Sequence, residues 1–171
     1  MAKPRSPAPA RFRDPRHTKY DFTESIVVRC PRCERIAHVR PVPDGEGQGT
    51  RPCFRAPRRL TCHGCGLSRQ TDSERVSLWR SSVGPALDPY FRAPLWLQTE
   101  TRHGWLWAYN LEHLAFLRQF VAASLRERAP WYDIGQKMTV VARLPVWIKS
   151  AKNRDEVLRA VERIRATVSA G

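Results

Sequence analysis

Apolar and polar positions along the chain fall into a few short blocks, and each block predicts one element. Ile26-Val27-Val28, Ala37-His38-Val39 and Arg59-Leu60-Thr61 are short apolar-centred runs that read as strands. Leu95, Leu97, Thr99 and Thr101 alternate with Trp96, Gln98 and Glu100. The turn signal Arg102-His103-Gly104 follows, and Trp105, Trp107 and Tyr109 then share one face of a second strand. Residues 94–109 therefore predict a β-hairpin with aromatic and β-branched cross-strand partners. Asn110 is a good N-cap. Leu114, Leu117, Val121 and Leu125 recur at helical spacing, Phe116 and Phe120 widen the stripe, and Pro130 ends it. This predicts a core helix over 111–128. Thr139 to Pro145 fits a strand or a helix end, and periodicity does not decide between them. Asn153 with Glu156 three residues later resembles a capping box. It opens an amphipathic helix over 154–168, apolar along Val157, Val161, Ile164 and Val168.

Cysteines change the picture. Cys30-Pro31-Arg32-Cys33 and Cys62-His63-Gly64-Cys65 are two CxxC pairs, and a fifth cysteine, Cys53, lies between them. Each CxxC turn aims two thiolates at one point, and two such turns complete a tetrahedron about 2.3 Å from a zinc ion. Pro31 pre-sets the first turn, and Gly64 and Gly66 can supply positive φ in the second. A redox dithiol needs its CxxC at a helix start in a βαβ context, which these stretches lack. Four thiolate ligands also leave no open position for a catalytic zinc. Cys53 reads as a bystander thiol that could replace a neighbour, and His38 and His63 are ligands by type only.

Strand, knuckle, strand, knuckle resembles the zinc-ribbon family, including the ribbon of TFIIB-type transcription factors, on Cys30-Pro31-x-Cys33 and Cys62-x-x-Cys65-Gly66. The resemblance covers residues 26–72 and implies one structural Zn²⁺ on Cys30, Cys33, Cys62 and Cys65. Two departures stand out. Glu34 occupies the position where glycine often follows the second cysteine. The spacer from Glu34 to Thr61 has 28 residues, against about 15–20 in common four-cysteine sites. A Pro- and Gly-rich inserted loop at about 41–57 accounts for the excess. The stretches Pro94-Leu-Trp-Leu-Gln-Thr, Leu106-Trp-Ala-Tyr-Asn110 and Leu144-Pro-x-Trp-x-Lys-Ser-Ala-Lys-Asn-Arg154 are similar to small bacterial proteins described only as TFIIB-type zinc-ribbon-containing. That likeness implies a bacterial cytoplasmic setting and no particular activity.

The expected architecture is α+β. A basic, Pro-rich disordered tail spans 1–20, a Cys₄ ribbon of short antiparallel strands spans 21–75, and a small hairpin-plus-helices domain spans 76–171. Met1–Tyr20 lacks an apolar signal core, and no run reaches the roughly 18 apolar residues of a membrane span.

Charge adds the functional reading. The 171 residues carry 30 Lys+Arg against 16 Asp+Glu, a formal net charge of +14. The excess gathers in the first twenty residues and after residue 135, with little in the aromatic middle. Uniform codon bias toward arginine does not obviously produce that contrast, so nucleic acid is the first partner to consider. Candidate contacts are Arg32, Arg35, Arg58, Arg59 and Arg69 on the ribbon, and Lys149, Lys152, Arg154, Arg159 and Arg163 at the C-terminal helix. The start of that helix, with free N–H groups and nearby cations, is a candidate phosphate site. It is equally a docked amphipathic helix with a solvated face. Trp79, Trp96, Trp105 and Trp107 form either a base-stacking platform or an aromatic core. No carboxylate–lysine set or nucleophile–base motif is visible, so the expectation is a non-enzymatic nucleic-acid-binding protein without a small-molecule substrate. The alternative is an adaptor whose ribbon and aromatic surface dock on a larger protein.

Overall fold

The computed structural model describes residues 11–42, 53–72, 84–127 and 139–169. Most of the expected inserted loop, the first half of the expected tail and Trp79 lie outside them, as does the Cys53 side chain. The architecture is α+β, as the patterning predicts. Strands run β1 (Arg11–Arg13), β2 (Ile26–Arg29), β3 (Ile36–Pro41), β4 (Arg58–Thr61), β5 (Ser68–Thr71), β6 (Gln98–Thr101), β7 (Gly104–Trp107) and β8 (Leu125–Glu127). Helices are α1 (Leu111–Ala122), α2 (Val140–Arg143), α3 (Val146–Lys149) and α4 (Arg154–Ser169). No helix among the described residues is long and apolar enough to cross a membrane.

Strands β2-β3-β4-β5 form one antiparallel sheet in sequence order. The two CxxC turns connect β2 to β3 and β4 to β5, so both knuckles stand at the same end of the sheet. Alternation buries Ile26, Val28, Ala37, Val39 and Leu60 on one face. The free edge of β2 is closed by the flanks of the hairpin. Val27 N–H donates to Tyr109 O at 2.8 Å, Arg29 N–H to Pro94 O at 2.8 Å and Trp96 N–H to Val27 O at 3.0 Å. The two expected domains therefore share one core, which runs continuously from Phe12 through the sheet to Ile164.

Three further expectations need correction. The tail is ordered from Arg11: β1 pairs in parallel with β8, and buried Phe12 meets Phe116 and Phe120 edge-on at 5.5 and 5.3 Å. The core helix ends at Ala122, because Ala123 turns to extended backbone and the chain pairs with β1. Leu125, expected in the core stripe, is consequently 44% exposed. In the hairpin Leu106 joins Leu95 and Leu97 in the core, while Trp105 and Trp107 lie on the opposite face of β7, half-buried across from Glu100 and Gln98 rather than from the threonines. Trp96 and Trp107 pack against the core.

Asn110 caps α1 as its type predicts and also ties distant segments together. Its Oδ1 accepts from His113 N–H at 2.8 Å, while Nδ2 donates to Phe22 O and Ser25 O, both at 3.0 Å. His113, in the first turn of α1, is 2% exposed and stacks on Phe22 at 4.5 Å. On α4, Val157, Val161 and Ile164 are buried, as the stripe predicts.

Candidate metal centre

Each knuckle is built by the same local bonds. Cys30 N–H donates to Arg35 O at 2.8 Å and Glu34 N–H to Cys30 O at 2.9 Å. Cys62 N–H donates to Leu67 O and Gly66 N–H to Cys62 O, both at 2.9 Å. Both turns close through a left-handed residue: Glu34 at φ 62° and Gly66 at φ 70°. Gly64, by contrast, does not take positive φ. A Cβ there would lie 2.7 Å from Arg35 Cδ, so the Arg35 side chain crosses from the first knuckle onto the second.

The fold brings Cys30, Cys33, Cys62 and Cys65 together, with all four sulfurs within 4.8 Å of one another. Cys30 Sγ lies 3.7 Å from Cys65 Sγ, and Cys33 Sγ 3.5 Å from Cys62 Sγ. A tetrahedron with metal–sulfur bonds of about 2.3 Å has sulfur–sulfur edges of about 3.8 Å. The group can therefore hold one metal ion. The first cysteine of each pair is buried and the second half-buried, so the site is rooted in the core and rises toward the surface. Neither His38 nor His63 belongs to the group.

Without a cation the thiols compete for charge. Burial acts to raise the Cys30 thiol, but backbone N–H bonds from Arg32 and Cys33 and the neighbouring sulfurs of Cys33 and Cys62 bring it down to about 6. At Cys33 a backbone bond from Arg35 is outweighed by burial and the other sulfurs, which push it up to about 12. Four thiolates this close cannot all ionise together unless a positive ion sits among them.

The candidate basic residues separate into two kinds. Arg32, Arg35, Arg59 and Arg69 are exposed on the ribbon, and Lys152, Arg159 and Arg163 are exposed at the C-terminal helix. Arg58 is not available to a phosphate: it is fully buried, its guanidinium donates to Thr23 O and it lies 4.5 Å over the Tyr90 ring. Nor does the start of α4 assemble the expected phosphate site. Lys149 Nζ donates to Ala142 O at 3.2 Å and Arg154 to Ala123 O at 3.1 Å. Glu156, in the first turn, takes Arg102 at 2.8 Å. The cause is long-range. The last turn of α1 has no basic residue of its own. Arg126, which donates to Phe120 O and Lys149 O, and Arg154 supply its cations from outside. Arg40, on β3 of the ribbon, is exposed as well. The alternation Ala37-His38-Val39-Arg40 carries the signal, since Ala37 and Val39 are buried. His38, on the Arg40 side, titrates below its ordinary value because of burial and then the charges of Arg40 and His63.

The chain matches no family model, no curated protein and no solved structure. Its functional reading therefore rests on the sulfur cluster and the charged surface.

Proposed function

We propose that this is a non-enzymatic nucleic-acid-binding protein whose ribbon is stabilised by one structural zinc ion, in the manner of a DNA-binding or transcription-associated accessory factor. Cys30, Cys33, Cys62 and Cys65 would hold the ion, which supplies folding energy and cancels two of four thiolate charges. An all-sulfur donor set suits zinc, whose closed four-coordinate sites are structural. A reducing compartment such as the cytoplasm keeps the thiols available as ligands.

The observation that carries the nucleic-acid reading is the state of the arginines around the metal group. Arg32, Arg59 and Arg69 are exposed, and no salt bridge among the described residues engages them. Exposed cations beside a metal-pinned sheet can release counterions from a polyanion.

Metal analysis of the purified protein, with titration of generic DNA and RNA across a salt series, tests the proposal. One equivalent of zinc and affinity that falls steeply with salt are expected. Stoichiometric zinc with no binding at low salt would refute the nucleic-acid reading. Nuclease-resistant recovery of one protein partner would favour the adaptor instead.

A further inference from the structure

We infer that the open face of the β2–β5 sheet is the nucleic-acid interface, and that it contacts the phosphodiester backbone without reading bases. This rests on the nucleic-acid reading above and assigns it a surface. One face of the sheet is committed to the core through Ile26, Val28, Ala37, Val39 and Leu60. The other presents Arg29, Arg40 and Arg59, all exposed, with half-buried His38 and exposed Gln70 beside them and buried Val27 toward the β2 edge. None of the four strands carries an acidic residue.

The register makes the charge unusual. Arg40 stands directly opposite Arg59, and Arg59 opposite Gln70. Like charges directly opposite one another destabilise a sheet. No salt bridge among the described residues relieves this pair. A phosphate lying between two guanidiniums accepts hydrogen bonds from both and removes the repulsion. Arg29 gives a second anchor four positions along the sheet, paired with Ile36 and held 5.3 Å over the Trp96 ring. Four strand positions span about 13 Å, or about four phosphate steps at 3.4 Å of axial rise.

Shape and composition exclude base reading. The duplex major groove, about 12 Å wide, admits a helix or a two-stranded ribbon. Four strands at about 4.8 Å spacing are broader than that. Sheets that read unpaired bases do so by stacking them on aromatic side chains. None of these four strands contains Phe, Tyr or Trp, and the Trp96 ring at the β2 edge is half-buried and already faces the Arg29 guanidinium. Gln70 Oε1 already accepts from Arg59 at 3.3 Å.

The test compares wild type, Arg40→Gln/Arg59→Gln and Arg159→Gln/Arg163→Gln by anisotropy on two short duplexes of unrelated sequence. The wild type is expected to bind both alike. The sheet variant should flatten the slope of log K against log salt by about 2. Its thermal midpoint should be unchanged or raised, because a like-charge pair has been removed. The helix variant should keep the wild-type slope. An unchanged slope in the sheet variant, or more than about tenfold preference between the duplexes, overturns this inference and leaves the broader reading standing. Failure of the wild type to bind either duplex or RNA at about 50 mM salt overturns the broader reading itself.

Discussion

Glu34 and Gly66 occupy equivalent positions in the two knuckles, and exchanging their residue types tests whether local backbone strain limits the metal site. Both are left-handed, at φ 62° and 70°. An L-residue held there costs about 1–2 kcal/mol. Glycine escapes that cost but loses about 0.5–1 kcal/mol more conformational entropy on folding. Glu34→Gly should therefore stabilise the ribbon by about 0.5–1 kcal/mol net. Gly66→Ala should destabilise it by a similar amount, through the backbone alone, because a Cβ there meets nothing within 4 Å. With the proposed zinc on the four sulfurs, metal binding and ribbon folding would be coupled, and these energies would appear as apparent affinity, a change of about two- to fivefold. Competition against a chromophoric chelator reads the affinity, and urea unfolding with excess zinc reads the stability at unchanged m. Weaker metal binding by Glu34→Gly would refute the reasoning, since Glu34 would then contribute more through its side chain than it costs through its backbone.

Other consequences follow from single sites. Cys33→Ser should abolish stoichiometric metal, and chelation of the wild type should unfold the sheet by circular dichroism; a full equivalent of zinc retained by the variant would break the ligand assignment. Asn110→Ala removes the α1 cap and the bonds to Phe22 O and Ser25 O, so denaturant unfolding should show a loss of about 2–4 kcal/mol. Asp88 is buried and accepts from Tyr90, Phe91 and Ala93 N–H. Burial outweighs those bonds and raises its pKa, so the folded state holds a proton that the unfolded chain has already released. Stability should then fall as pH rises from the ordinary carboxyl value through the raised one, and be insensitive to this group above it. Asp88→Asn should erase that slope in pH-dependent melts while costing about 1–3 kcal/mol for the lost Ala93 bond.

Short-range signals carried much of this protein in its sequence. The CxxC spacing, the capping residue Asn110 and the α4 stripe of Val157, Val161 and Ile164 are each set by turn chemistry or helical period within a few residues, and each stands in the fold. The sequence alone thus determined an α+β chain with a four-sulfur group at paired turns. Only tertiary structure decided which arginines face solvent. Arg58 and Arg59 are neighbours of one type, yet one is buried over Tyr90 and the other lies on the open face. Strand alternation separates them, but which face is buried depends on what packs there. Arg126 and Arg154 are held by carbonyls at the end of α1. Arg154 lies 31 residues from the one it meets, Ala123. The same holds for β1, whose Phe12 is buried only because β8 brings the chain back beside it. A guanidinium goes where an unsatisfied carbonyl and an aromatic face await it, and those partners are assembled by the fold from segments far apart in the chain.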